Sequence, residues 1–171
     1  SGSTLDLSGA TGGTTHISSS TVTLAHAITP VNDAPVPNTG GPYAISEGGA
    51  LNLDASGTTD VDSAALTYRW DLNNDGTYDL VTTAQTATVS WATLAALGVD
   101  DNGSYTVALQ VDDGSGGVAN TTTSLSITNT APTLTATGNA AASGGGVYTL
   151  NLAHSDPGND TITGWTVNWG A

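Results

Sequence analysis

The chain has 171 residues, 37% of them hydrophobic and 9% charged, and its 15 acidic residues face a single basic one, Arg69, for a formal net charge of -14. Such a surface is a poor partner for nucleic acid or an anionic membrane, because both demand basic side chains against phosphate. With no Cys, disulfide scaffolds, thiolate metal sites and cysteine nucleophiles are excluded, and no apolar run reaches the roughly 18 residues of a spanning helix.

Short alternating runs, separated by Gly, Asn, Asp and Ser clusters, predict strands at 22–28, 51–53, 66–70, 105–111, 125–127, 148–152 and 165–169. The clearest is Tyr105, Val107, Leu109 and Val111 alternating with Thr106, Ala108 and Gln110, the period of a half-buried strand. One stretch differs. Trp91, Leu94 and Leu97 are spaced by three and followed by Gly98, which predicts one or two helical turns with a glycine stop. A chain rich in Thr and Val without long helical patterns reads as an all-β sandwich.

An internal repeat organises these elements. Asn129-Thr-Ala-Pro132 follows Asn32-Asp-Ala-Pro35 at a separation of 97, while Leu150-Asn-Leu152 follows Leu51-Asn-Leu53, and Trp169 follows Trp70, at a separation of 99. Residues 36–132 then form one complete unit. Residues 1–35 read as the C-terminal part of a preceding unit plus linker, and 133–171 as the N-terminal half of a following one. The chain lacks Met even at position 1 and reads as an excerpt from something longer.

Gly41-Pro42-Tyr43, Glu47-Gly48, Leu66-Thr67-Tyr68-Arg69-Trp70-Asp71, Asp75-Gly76, Gly103-Ser104-Tyr105 and Val111-Asp112-Asp113-Gly114 together resemble the PKD domains. The resemblance implies immunoglobulin-like β-sandwiches in tandem along a large secreted or cell-surface protein. Val31-Asn32-Asp33-Ala34-Pro35 is similar to the linkers of bacterial cadherin-like repeats. The family's Trp-Asp-Phe-Gly-Asp-Gly is expanded in this chain to Trp70-Asp71-Leu72-Asn73-Asn74-Asp75-Gly76. Within such a sandwich Trp70 is expected to fill the space between sheets, and Asp101-x-Gly103-x-Tyr105 to form a tyrosine corner.

Carboxylates carry the candidate chemistry. Asp71, Asn73, Asp75, Thr77 (through its carbonyl) and Asp79 occupy positions 1, 3, 5, 7 and 9 of an EF-hand-like calcium loop, with Gly76 at position 6. Position 12 is Thr82, so the bidentate Glu is missing, and a hairpin turn on Asp75-Gly76 is the alternative. A second set, Glu47, Asp60, Asp62, Asp112 with Asp113, and the linker's Asn32 and Asp33, falls at strand ends or loops. By resemblance to cadherin-like arrays these would gather around calcium between units; otherwise they are separate and solvated. An acidic surface suited to high salt is a competing explanation of the charge.

No nucleophile elbow, phosphate loop or zinc motif occurs, and His16, His26 and His154 are scattered through the partial units, so no enzyme activity is expected. Sequons begin at Asn102, Asn120 and Asn159, where an extracellular chain would carry glycans. Two half-units expose strand edges, and one chain's tail could be completed by the next chain's head through strand addition, giving head-to-tail filaments. The expected function is thus a calcium-stiffened structural module of an extracellular stalk, adhesin or filament, whose partners are copies of itself or neighbouring repeats, without membrane insertion. The alternative is a carbohydrate- or protein-binding module using Tyr43, Tyr78 and Trp91.

Overall fold

The computed structural model describes residues 31–141 and 144–168. In chain order these hold β1 (Tyr43–Ser46), β2 (Leu51–Asp54), β3 (Thr67–Asp71), β4 (Leu80–Thr82), β5 (Thr86–Val89), α1 (Trp91–Ala96), β6 (Gly103–Asp112), β7 (Val118–Thr128), β8 (Thr133–Gly138) and β9 (Leu150–Ser155). Five strands form one sheet in the order β1-β7-β6-β3-β4; β1 runs parallel to β7 and the other neighbours are antiparallel. β2 and β5 form a second sheet, and β8 and β9 a third.

Alternation decides which side chains meet. On β6, Val107, Leu109 and Val111 are buried while Gln110 and Thr106 turn outward, and on β2 Leu51 and Leu53 are buried between exposed Asn52 and Asp54. These rows join Tyr68 and Trp70 of β3 and Leu125 and Ile127 of β7 in one core between the sheets. Each such aliphatic side chain removed from water contributes about 1.5–3 kcal/mol before entropy is counted. Trp70, 1% exposed, is among the largest fully buried side chains, as expected of a sandwich without a cross-sheet disulfide.

α1 closes one end. Its N-cap Ser90 accepts a hydrogen bond from the Thr93 amide at 3.2 Å, Leu94 is buried in the core, and the helix stops at Gly98, whose φ of 73° a side chain would resist. The tyrosine corner also forms. The Tyr105 hydroxyl donates to the Asp101 carbonyl at 2.9 Å and accepts from the Asp101 amide at 3.3 Å, pinning the loop before β6.

Boundaries shift at the edges. The strand expected from Leu66 runs over Thr67–Asp71, the one expected from Tyr148 starts at Leu150, and no ladder forms over 165–168. The reason is pairing. The Trp70 strand is held on its two sides by β4 and β6, whereas among the described residues no strand lies beside 165–168. The expected strand at 22–28, and with it His16, His26 and Trp169, lies outside the described residues.

Candidate functional site

The acidic residues sort into three groups with different environments. In the β3–β4 connection, Asp71 is buried and its carboxylate accepts from the Asp75 amide at 3.1 Å and the Gly76 amide at 2.8 Å. Asp75 accepts from the Thr77 amide at 2.7 Å and from the Asn73 side chain at 3.1 Å, and these contacts hold its carboxyl below the usual range, the Thr77 amide foremost. Asp79 accepts from the Leu72 amide at 2.7 Å. The loop thus closes by turning its carboxylates onto its own backbone. Asn74 (φ 56°) and Gly76 (φ 90°) supply the left-handed turns that this requires. The connection joins an antiparallel hairpin in which Trp70 lies opposite Leu80.

The second group ties down the linker. Asp113, 5% exposed, accepts from the Asn32 side chain at 2.6 Å and from the Ser115 and Gly117 amides at 2.7 and 2.9 Å. Asn32 is the leading cause of its lowered pKa. Asp62 accepts from the Asp33 amide at 2.7 Å, and Asp60 accepts from the Asp62 and Ser63 amides at 2.8 and 2.7 Å while its other oxygen is buried without a partner. Asp112 does not join them. It turns to Arg69 at 2.8 Å, and that guanidinium is the first cause of its lowered pKa.

The third group lies at the other end of the sandwich and brings in residues absent from the sequence-based set. Glu47, just after β1, is 4% exposed, and one of its oxygens accepts from the Thr130 amide at 2.8 Å. Its backbone carbonyl accepts from the Thr130 hydroxyl at 3.1 Å. The remaining Glu47 oxygen is buried with no partner, as is one oxygen of Asp156. Glu47, Asp156 and Asp160 each place a carboxylate oxygen within 4.8 Å of the others'. Burial first, then the charges of Asp156, Glu47 and Asp101, push the Asp160 carboxyl up. Gly158 permits the approach, since a Cβ there would lie 2.5 Å from the Glu47 carboxyl carbon.

The 156–160 segment is held by more than charge. The Trp91 indole donates to the Pro157 carbonyl at 2.8 Å, and the Asn159 amide donates to the Asp100 carbonyl at 3.2 Å. A signal for this segment did exist: the 99-residue shift sets Asn159 on Asp60, one position from Asp160.

Of the three rings offered for ligand stacking, Trp91 is engaged with Pro157, and the Tyr43 hydroxyl bonds the Thr39 carbonyl and the Asp54 amide. Tyr78 is exposed. His154 packs against Trp165 with ring centroids 5.8 Å apart. The side chains of Asn102, Asn120 and Asn159 are exposed. Among the described residues no helix is long and apolar enough to cross a membrane.

The family model of the PKD domain matches residues 32–128, more than half of the chain. The chain belongs to the PKD domain family. The matched span coincides with the sandwich from the Asn32 linker to the end of β7, so the PKD unit comprises both sheets of the core and the first two carboxylate groups.

Three solved structures are similar to parts of the chain. A nucleoside hydrolase-related hypothetical protein from Saccharophagus degradans, associated with carbohydrate metabolism, is 21% identical with a TM-score of 0.41 over 57% of this chain, which spans only 26% of that one. The PKD1 domain of Vibrio anguillarum Epp is 24% identical with a TM-score of 0.40, over 57% of this chain and 96% of that one. One of the carbohydrate-binding modules of the β-sandwich superfamily is 20% identical with a TM-score of 0.43, over 66% of this chain and 51% of that one. No curated protein matches the chain.

Proposed function

We infer that the chain is a non-catalytic spacer module of an extracellular or cell-surface stalk, adhesin or filament, in which 36–132 is one whole PKD unit, 1–35 the end of the preceding unit and 133–171 the start of the next. The observation that carries this reading is the attachment of the C-terminal segment to the sandwich. Pro157 accepts from Trp91, and the Asn159 amide donates to the Asp100 carbonyl, so the chain beyond the unit is tied to its end at two separate places. Such ties suit a part that transmits position along an array.

The β8–β9 hairpin supports the tandem arrangement. It pairs Thr133 with Ser155, and near the equivalent place in the whole unit Val36 bridges Thr59. The non-catalytic reading is supported by the use of Asp71, Asp75, Asp79, Asp112 and Asp113 as acceptors for backbone and side-chain donors. Calcium is the proposed stiffening ion and the large acidic excess its source of attraction. Leu134, Val147, Trp165 and Val167 remain exposed around the hairpin, the apolar surface that a neighbouring repeat or the head of another copy would cover by strand addition.

A concentration series in the analytical ultracentrifuge, with mass measured in denaturant, tests the assembly. Growth of the sedimentation coefficient with concentration, from a chain of 16.9 kDa in denaturant, is the result expected of strand complementation. A particle of constant single-chain mass at every concentration would rule that assembly out.

A further inference from the structure

We propose that Glu47, Asp156 and Asp160 form a calcium site that clips the 156–160 segment onto the end of the PKD unit. It deepens the spacer reading by naming where stiffening occurs, and rests on that reading only for its mechanical consequence. Three carboxylate oxygens within 4.8 Å of one another can share an ion whose Ca–O distances are about 2.3–2.6 Å. The second, independent observation is the Glu47 side chain itself. It is 4% exposed, and while one oxygen takes the Thr130 amide, the other is buried in the cluster without any partner. A carboxylate oxygen shut away from solvent without a protein donor is stabilised by a cation, and two such oxygens meet in this trio. The buried orphan oxygen of Asp156 repeats the pattern within the same trio.

The donor set selects the ion. All three ligands are hard oxygens, and neither imidazole nor thiolate belongs to the trio, which disfavours zinc and copper. Asp156 and Asp160 are more open to solvent than Glu47, so water can fill the remaining positions of an irregular six- to eight-coordinate shell, which calcium accepts more readily than the octahedral magnesium ion. Glu47 stands on the PKD unit while both aspartates come from beyond it, so an ion bound here cross-links the two.

The test is a calcium chloride titration of the chelator-stripped full chain, followed by calorimetry and by terbium luminescence excited through tryptophan. Trp91 bonds Pro157, adjacent to Asp156, and is placed to sensitise terbium in this site. Calcium is expected to displace that signal. Glu47→Gln, and separately Asp156→Asn with Asp160→Asn, are expected to weaken the binding at least tenfold, whereas Asp54→Asn, at an exposed position of β2, leaves the sensitised signal unchanged. The aspartates lie outside the sandwich core, so their double variant keeps the fold and is the decisive one. Binding and sensitisation equal to wild type in that variant, or no calcium uptake by the wild type, overturns the proposal. Either result leaves the spacer reading standing, since that is judged by assembly size in sedimentation.

Discussion

The Trp91 indole nitrogen and the Pro157 carbonyl oxygen, 2.8 Å apart, join the helix of the PKD unit to the segment after β9. The bond uses the polar edge of the ring while its apolar body packs against the core. A residue that reads in the sequence as part of a helix face therefore serves the junction as well. Trp91→Phe keeps most of the packing and removes the donor, at a cost of about 0.5–1.5 kcal/mol. Hydrogen exchange is expected to accelerate at residues 156–160 while β6 and β7 stay protected.

Trp70 bears on the whole unit. Fully buried between the sheets, it cannot be truncated without leaving a large cavity, and Trp70→Ala is expected to cost about 3–5 kcal/mol. Urea unfolding monitored by circular dichroism measures the loss; a change below about 1 kcal/mol would contradict the place of this ring in the core.

Tyr105 makes a narrower contribution. Its ring packs on the core, and its hydroxyl bonds both the amide and the carbonyl of Asp101. Tyr105→Phe removes only the hydroxyl, with an expected cost of about 1 kcal/mol and a lower melting temperature.

Gly158→Ala tests the close approach at the junction. The new Cβ would meet the Glu47 carboxyl group, so either that side chain or the 156–160 segment must move. The prediction is weaker protection of the Thr130 amide in hydrogen exchange, with the melting temperature of the sandwich unaltered.

Acid should destabilise the linker end. Asn32 and the Ser115 and Gly117 amides lower the Asp113 pKa, and Arg69 lowers that of Asp112. Because both folded-state values lie below the usual aspartate value of about 3.9, the stabilisation is complete above that pH and is lost as pH falls through the folded values. Thermal melts from neutral to strongly acid solution should thus stay level and then drop, and Asn32→Ala should flatten the drop. A decline beginning near neutrality would point to other groups.

The sequence by itself determined the alternating rows of β2, β3 and β6, the glycine stop of α1, the buried Trp70 and the Tyr105 corner. Each depends on backbone geometry within a few residues, where a period of two or a left-handed turn leaves a visible mark. The pairing of carboxylates was another matter. Asp71, Asp75 and Asp79 have the spacing of a calcium loop, and the structure adds that each also accepts from a backbone amide of the loop, which the spacing does not reveal. Only the tertiary structure brought Glu47 beside Asp156 and Asp160, since their convergence is set by how the Thr130 linker leaves β7 and by the missing side chain at Gly158. Electrostatic partnership acts through space and is indifferent to sequence separation, so it is decided only once the chain has folded.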